Sequence, residues 1–228
     1  MTTSFSDTAT GTRPDIDPAA QRHAMVASQL RPNAVSDGRV VLAMAAIPRE
    51  DYLPASARAL AYRDGVIPLG GGRFANLAMA TGRLLTAAEL EPSDRVLLIG
   101  AAGGYAAAVL STVVAEVVAV EVSPALLDVA QAALASLGNV RLVAAPLEAG
   151  CPDAAPFDVL VVDGVVEHLP DTLVEQVRPG GRVVAGIRAG GVARLAAGRR
   201  TAGFALQPFA DCEGAVLPGF ALPRRFHF

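Results

Sequence analysis

Between Arg95 and Ile187 short apolar runs alternate with helical stretches, and no other feature restricts the fold of this chain so tightly. Arg95-Val-Leu-Leu-Ile-Gly100 is bounded by the turn-prone Pro92-Ser93-Asp94 and by glycines. It reads as a buried strand that feeds a helix from Gly103 to about Thr112. Glu116–Val122 forms a second strand, and Ser123-Pro124 opens a helix to Leu137 with serine as N-cap and proline at the first helical position. Val140–Ala144 and Phe157–Asp163 are further strands, followed by a helix over Pro170–Val177 and a fifth strand over Gly181–Ile187. Strands that alternate with helices of about 10–15 residues imply a parallel sheet with right-handed crossovers. Beyond Gly190 the pattern changes: Val192–Ala197 and Gly203–Phe209, joined across Arg199-Arg200, predict an antiparallel hairpin at the sheet edge.

The segment ahead of this core is helical. Pro18–Leu30 and Asp37–Ile47 carry apolar residues at helical spacing, Pro48 ends the second, and Asp51–Tyr62 predicts a third short helix before the turn-rich Arg63–Gly72. Met1–Asp17 is polar and predicts a mobile tail. The expected architecture is α/β: a Rossmann-like doubly wound sheet over residues 93–190, a helical cap over 18–92 and a hairpin with its tail over 191–228.

Composition excludes several chemistries. All 19 basic residues are arginine, so a Walker A phosphate loop, a protein-kinase site and a Schiff-base enzyme each lack the lysine they require. A net charge of −3 gives no footprint for nucleic acid or an anionic membrane. Cys151 and Cys212 are isolated, which suits a reducing compartment, and His23, His168 and His227 lack metal-ligand spacing. The first 17 residues have no apolar signal core, so the expected location is the cytoplasm. Val96–Ala115 is 20 residues long and uncharged, but its glycines punctuate it as strand, turn and helix rather than a membrane span.

A strand, a glycine turn and a helix set backbone N–H groups at the carboxyl edge of a sheet, where ligands bind. Gly100, Ala101, Ala102, Gly103 and Gly104 form that turn, ahead of Tyr105. Glu121, followed by Val122, closes the next strand where a carboxylate can accept both hydroxyls of a ribose. Read alone, the turn serves equally as a packing device. Asp163 at a strand end is a further candidate, and Glu167-His168 reads as a helix-start pair ahead of an acid–base one.

In order along the chain, Gln29-Leu30, the segment from Ala43 to Glu50, Tyr52-Leu53-Pro54, Ala61-Tyr62-Arg63-Asp64, Pro68-Leu69-Gly70, Arg95–Gly100, Gly104-Tyr105, Val120-Glu121, Ala155–Asp158 and Arg178–Val183 carry a family likeness. The chain resembles the protein-L-isoaspartate O-methyltransferases, which are class I S-adenosylmethionine (SAM) enzymes. The resemblance implies SAM as cofactor over Gly100–Tyr105, with Glu121 and Val122, and a protein or peptide carboxylate as acceptor. It implies no metal and leaves homodimer formation open.

The departures from that family fall on its site. Asn76 occupies the position of the serine beside the acceptor carboxylate, Phe74 that of a threonine and Ala78 that of a proline. Leu98 replaces an acidic residue, Ala102 replaces the central glycine of the turn, and Pro146 replaces an aspartate that meets the adenine. These changes predict methyl transfer that is impaired or lost. Two alternatives stand beside the family activity: a methyltransferase with another acceptor, and a non-catalytic binding or scaffolding protein on the same fold. On either enzymatic reading, Asn76 is the candidate catalytic residue.

Overall fold

The structure is a computed structural model that describes residues 17–222. Asp17, expected in the tail, instead caps α1 (Pro18–Met25) by accepting the Ala19 N–H at 3.0 Å. The helix runs on through a π turn at Val26–Leu30. Asp37 caps α2 (Gly38–Ala46) in the same way, accepting the Arg39 N–H at 2.9 Å. The helix expected over Asp51–Tyr62 is two short 3-10 turns, Arg49–Tyr52 and Ala55–Leu60. Pro54 stands between them and has no N–H to carry a continuous helix.

Two elements were not foreseen. Ile67–Gly70 (β1) and Arg73–Ala75 (β2) pair as a small antiparallel hairpin across Gly71-Gly72. α3 (Ala78–Ala87) follows; it buries Ala78, Ala80, Thr81, Gly82, Leu84 and Leu85, so no polar stripe marks its period. Gly82 sits in its middle because a Cβ there would meet Val35 at 2.9 Å.

The core elements follow the expected order: β3 (Arg95–Ile99), α4 (Tyr105–Ser111), β4 (Glu116–Glu121), α5 (Pro124–Leu134), β5 (Val140–Ala144) and β6 (Phe157–Val166). α6 covers only Asp171–Val174, shorter than the helix expected over Pro170–Val177, and β7 (Val177–Ala189) claims the end of that stretch. β8 (Val192–Arg199) and β9 (Gln207–Asp211) complete one seven-stranded sheet of order β5-β4-β3-β6-β7-β8-β9. Its first five strands are parallel and the last two antiparallel, which places the C-terminal hairpin at the sheet edge.

Alternation along the strands divides the core in two. Val96, Leu98, Val117 and Ala119 face the cap, while Leu97, Ile99, Val118 and Val120 face Phe157, Leu173 and Phe220 on the other side. Phe220 is 1% exposed and packs back against the sheet; Phe226 and Phe228 lie outside the described residues. The uncharged Val96–Ala115 segment is strand, turn and helix, and among the described residues no helix is long and apolar enough to cross a membrane.

Candidate active site

The turn after β3 is held from beneath. Gly100 and Ala101 both donate their N–H groups to the Val120 carbonyl at 3.1 Å, and Gly104 donates to Ala101 at 2.8 Å. Ala102 takes φ +49°, a left-handed conformation that costs a residue with a Cβ roughly 1–2 kcal/mol. A glycine at this position would avoid that strain. Gly103 lies under the cap: a Cβ there would stand 1.9 Å from the Tyr52 carbonyl oxygen.

Glu121 is fully buried at the end of β4 and accepts five hydrogen bonds. Three come from the main chain: Ala102 N–H to Oε2 at 2.8 Å, and Val122 and Ser123 N–H to Oε1 at 3.0 Å each. Two come from Arg73 on the hairpin, Nε at 3.1 Å and Nη2 at 2.8 Å, in a bidentate fork. Burial alone would push the Glu121 carboxyl up, but the guanidinium and the Ser123 and Ala102 donors outweigh it and hold the group below its usual range. Ser123 stands at the N-cap of α5, yet its side chain makes no cap bond; its N–H feeds Glu121 instead. Val122, the next residue, is 41% exposed.

Asn76 stands at the junction of hairpin, sheet and tail. Its Nδ2 donates to Asp163 at 2.9 Å, and its Oδ1 accepts the Ala215 N–H at 3.2 Å. Thr81 of α3 donates to the same Asp163 oxygen at 2.7 Å. Burial pushes the Asp163 carboxyl up, and these two donors together with the nearby Arg49 charge pull it part of the way back. Arg49 is buried, donates to the Asn76 carbonyl at 2.6 Å and stacks over the Tyr105 ring at 4.8 Å. Among the described residues, its Nε and the Tyr105 hydroxyl are buried without hydrogen-bond partners. Arg49, Asn76, Tyr105 and Asp163 line a cavity of about 20 Å³, the size of one water molecule.

The structure therefore brings Asn76, Glu121, Asp163 and the turn to one edge of the sheet, as the sequence suggested. Sequence reasoning missed Arg73, Arg49 and Thr81. A lone arginine after three glycines carries no signal of its target until the hairpin is known. Glu167 and His168 do other work than starting a helix: Glu167 accepts the Leu222 N–H at 2.7 Å, and His168 Nδ1 lies 3.0 Å from the Phe220 carbonyl, so the pair pins the tail. A larger groove of about 550 Å³ lies along α1 by Arg22, His23 and Arg31, and none of the expected site residues lines it.

Strand order reverses between β3 and β6, and Glu121 closes β4, the next strand on one side, at the carboxyl edge of the sheet. The arrangement is that of a class I methyltransferase. Comparison with known proteins narrows this class: the chain belongs to the protein-L-isoaspartate(D-aspartate) O-methyltransferase family, whose profile matches residues 20–206. It is 43% identical over 168 residues to protein-L-isoaspartate O-methyltransferase 1 of Rhodopseudomonas palustris, covering 73% of this chain and 69% of that one. It is 40% identical over 176 residues to the Methylorubrum extorquens enzyme of that name, covering 77% of each. A solved protein-L-isoaspartate O-methyltransferase superposes with TM-score 0.74 at 26% identity, over 87% of this chain and 66% of that one. A Plasmodium falciparum protein solved with S-adenosyl-L-homocysteine shares the fold, with TM-score 0.69 at 14% identity over 87% of this chain and 96% of that one.

Proposed function

We propose that the protein is a SAM-dependent methyltransferase for protein carboxylates of the isoaspartyl kind, with turnover below that of relatives that carry a serine at the position of Asn76. The observation that carries this reading is the placement of Glu121: a buried carboxylate closes β4 within 2.8 Å of the Ala102 N–H in the turn, beside the half-exposed Val122. That donor set fits a nucleoside, since the carboxylate can accept vicinal hydroxyls and Val122 offers an apolar face to a base. Pro146 contributes neither a carboxylate nor an N–H at the third strand end, which weakens the grip. Loss of one charged hydrogen bond costs about 1.5–3 kcal/mol, a factor of roughly ten to a hundred in affinity.

When bound, SAM supplies an electrophilic methyl group. A carboxylate acceptor is already ionised at neutral pH, so the chain needs no general base and its task is alignment. The acceptor carboxylate enters between Asn76 and the cap, where the unpartnered Arg49 Nε and Tyr105 hydroxyl offer it donors. Arg49 also fixes the Asn76 main chain through its carbonyl, which couples the cap to the acceptor position.

A second reading, a binding or scaffolding protein without turnover, is favoured by Asn76 itself: both polar atoms of its amide are already committed, to Asp163 and Ala215. Calorimetric titration with SAM and with S-adenosyl-L-homocysteine, followed by methylation of an isoaspartyl peptide, separates the two. Micromolar binding with measurable ester formation supports the enzyme. A folded protein that binds neither ligand at millimolar concentration refutes it.

A further inference from the structure

Glu121 is the one acidic side chain that closes β4, and its lone pairs are filled. A carboxylate offers about four acceptor sites, and here five donors converge on it. The three main-chain donors belong to the fold and cannot leave. The other two belong to a side chain on a two-strand hairpin, and only these can give way to an incoming ligand.

Arg73 is held on one side only. Its Nε and Nη2 bond Glu121, while Nη1 is buried with no partner among the described residues. The turn that joins its strands is open: Gly70, Gly71 and Gly72 all have positive φ (90°, 56° and 75°), and no atom lies within 4 Å of where a Cβ would stand on any of them, while Ile67 and Ala75 anchor the strands in the core. Phe74, next to Arg73, is 37% exposed, so the outer face of the hairpin is not packed under other elements. The result is a short, core-anchored hairpin that carries a guanidinium fork on a flexible side chain into a fixed carboxylate.

We propose that Arg73 is a specificity-determining latch, whose guanidinium occupies the two positions on Glu121 that the vicinal hydroxyls of a nucleoside take, so that latch and ligand compete for one carboxylate. The proposal rests on the functional reading above, because the ligand it excludes is the nucleoside half of that cofactor. Any ligand without a diol able to replace both N–H donors leaves Glu121 in the hands of Arg73. By reciprocity, ligand entry at Glu121 releases the Arg73 side chain and loosens its end of the hairpin. The apparent affinity is the intrinsic one scaled by the fraction of molecules with the latch open.

The test uses Arg73→Gln and Arg73→Lys in the full chain, with S-adenosyl-L-homocysteine as probe in calorimetry and amide hydrogen exchange over residues 67–76 as an independent readout. Arg73→Gln removes the charge and the fork; Arg73→Lys keeps the charge and loses the fork, and serves alone if the first variant does not fold. The expected result is affinity raised about tenfold or more in Arg73→Gln and by a smaller factor in Arg73→Lys, with faster exchange across the hairpin and unchanged exchange in β3 and β4. Wild-type protein that binds the probe with the same affinity as the folded variants overturns the latch and leaves the methyltransferase reading standing. Absence of binding in wild type and variants alike overturns both.

Discussion

Ala102 holds a left-handed backbone that glycine adopts without strain. Ala102→Gly is expected to raise stability by about 1 kcal/mol, net of the extra freedom glycine gives the unfolded chain, as read from urea midpoints. Its neighbour behaves oppositely. A Cβ at Gly103 meets the Tyr52 carbonyl at 1.9 Å. Gly103→Ser should displace the Arg49–Tyr52 turn and cost upwards of about 2 kcal/mol, in the range of forced overpacking. Asn76→Ser tests the acceptor side. Loss of the bonds to Asp163 and Ala215 is expected to lower stability by about 1–2 kcal/mol, while restoring the family side chain raises the methylation rate at constant cofactor affinity. A lower rate in that variant, once the protein is shown to be folded, removes Asn76 from the catalytic role.

At the level of elements, the tail is bound into the fold. Phe220 fills the core face below β6 and β7; His168 lies against its carbonyl, and Glu167 accepts the Leu222 N–H just beyond it. Phe220→Ala should cost about 3–5 kcal/mol in denaturant unfolding. β3, β4 and β6 were legible in the sequence because each is an apolar run between turn residues, buried on both faces; β5, half-exposed at the sheet edge, was legible from its flanking turns. The β1–β2 hairpin and α3 were not. A hairpin whose strands hold four and three residues has too few positions to show a period of two, and α3 is buried on nearly all sides. The glycine turn and Glu121 were legible as candidates because the ends of β3 and β4 fix them, whereas Asn76 was legible only through the family resemblance. Arg73, Arg49 and Thr81 reach the site only through tertiary contacts, which spacing along the chain does not encode.

Across the whole molecule two buried carboxyls give opposite pH dependences. Glu121 is held low, so its contribution is present above its unfolded value and is lost as the pH falls through the depressed one. Asp163 is held high, so folding is favoured while it is protonated and that gain is lost as the pH rises through the raised value. Asp163→Asn should therefore gain stability relative to wild type as the pH is raised from about 4 to 8, and urea midpoints at several pH values would show it. A difference independent of pH would contradict this assignment of the carboxyl.

The sheet order also has a consequence for how the chain is made. β3 pairs with β4 in the next stretch of sequence, but its other edge waits for β6, where Val96 meets Val159. On the ribosome the first three parallel strands emerge while one flank of the central strand still has open amides and carbonyls. Closure then depends on a contact between distant parts of the chain, which is slow to form. In that interval the nascent polypeptide carries an apolar, unpaired edge, the kind of surface that chaperones shield and that aggregates when synthesis stalls.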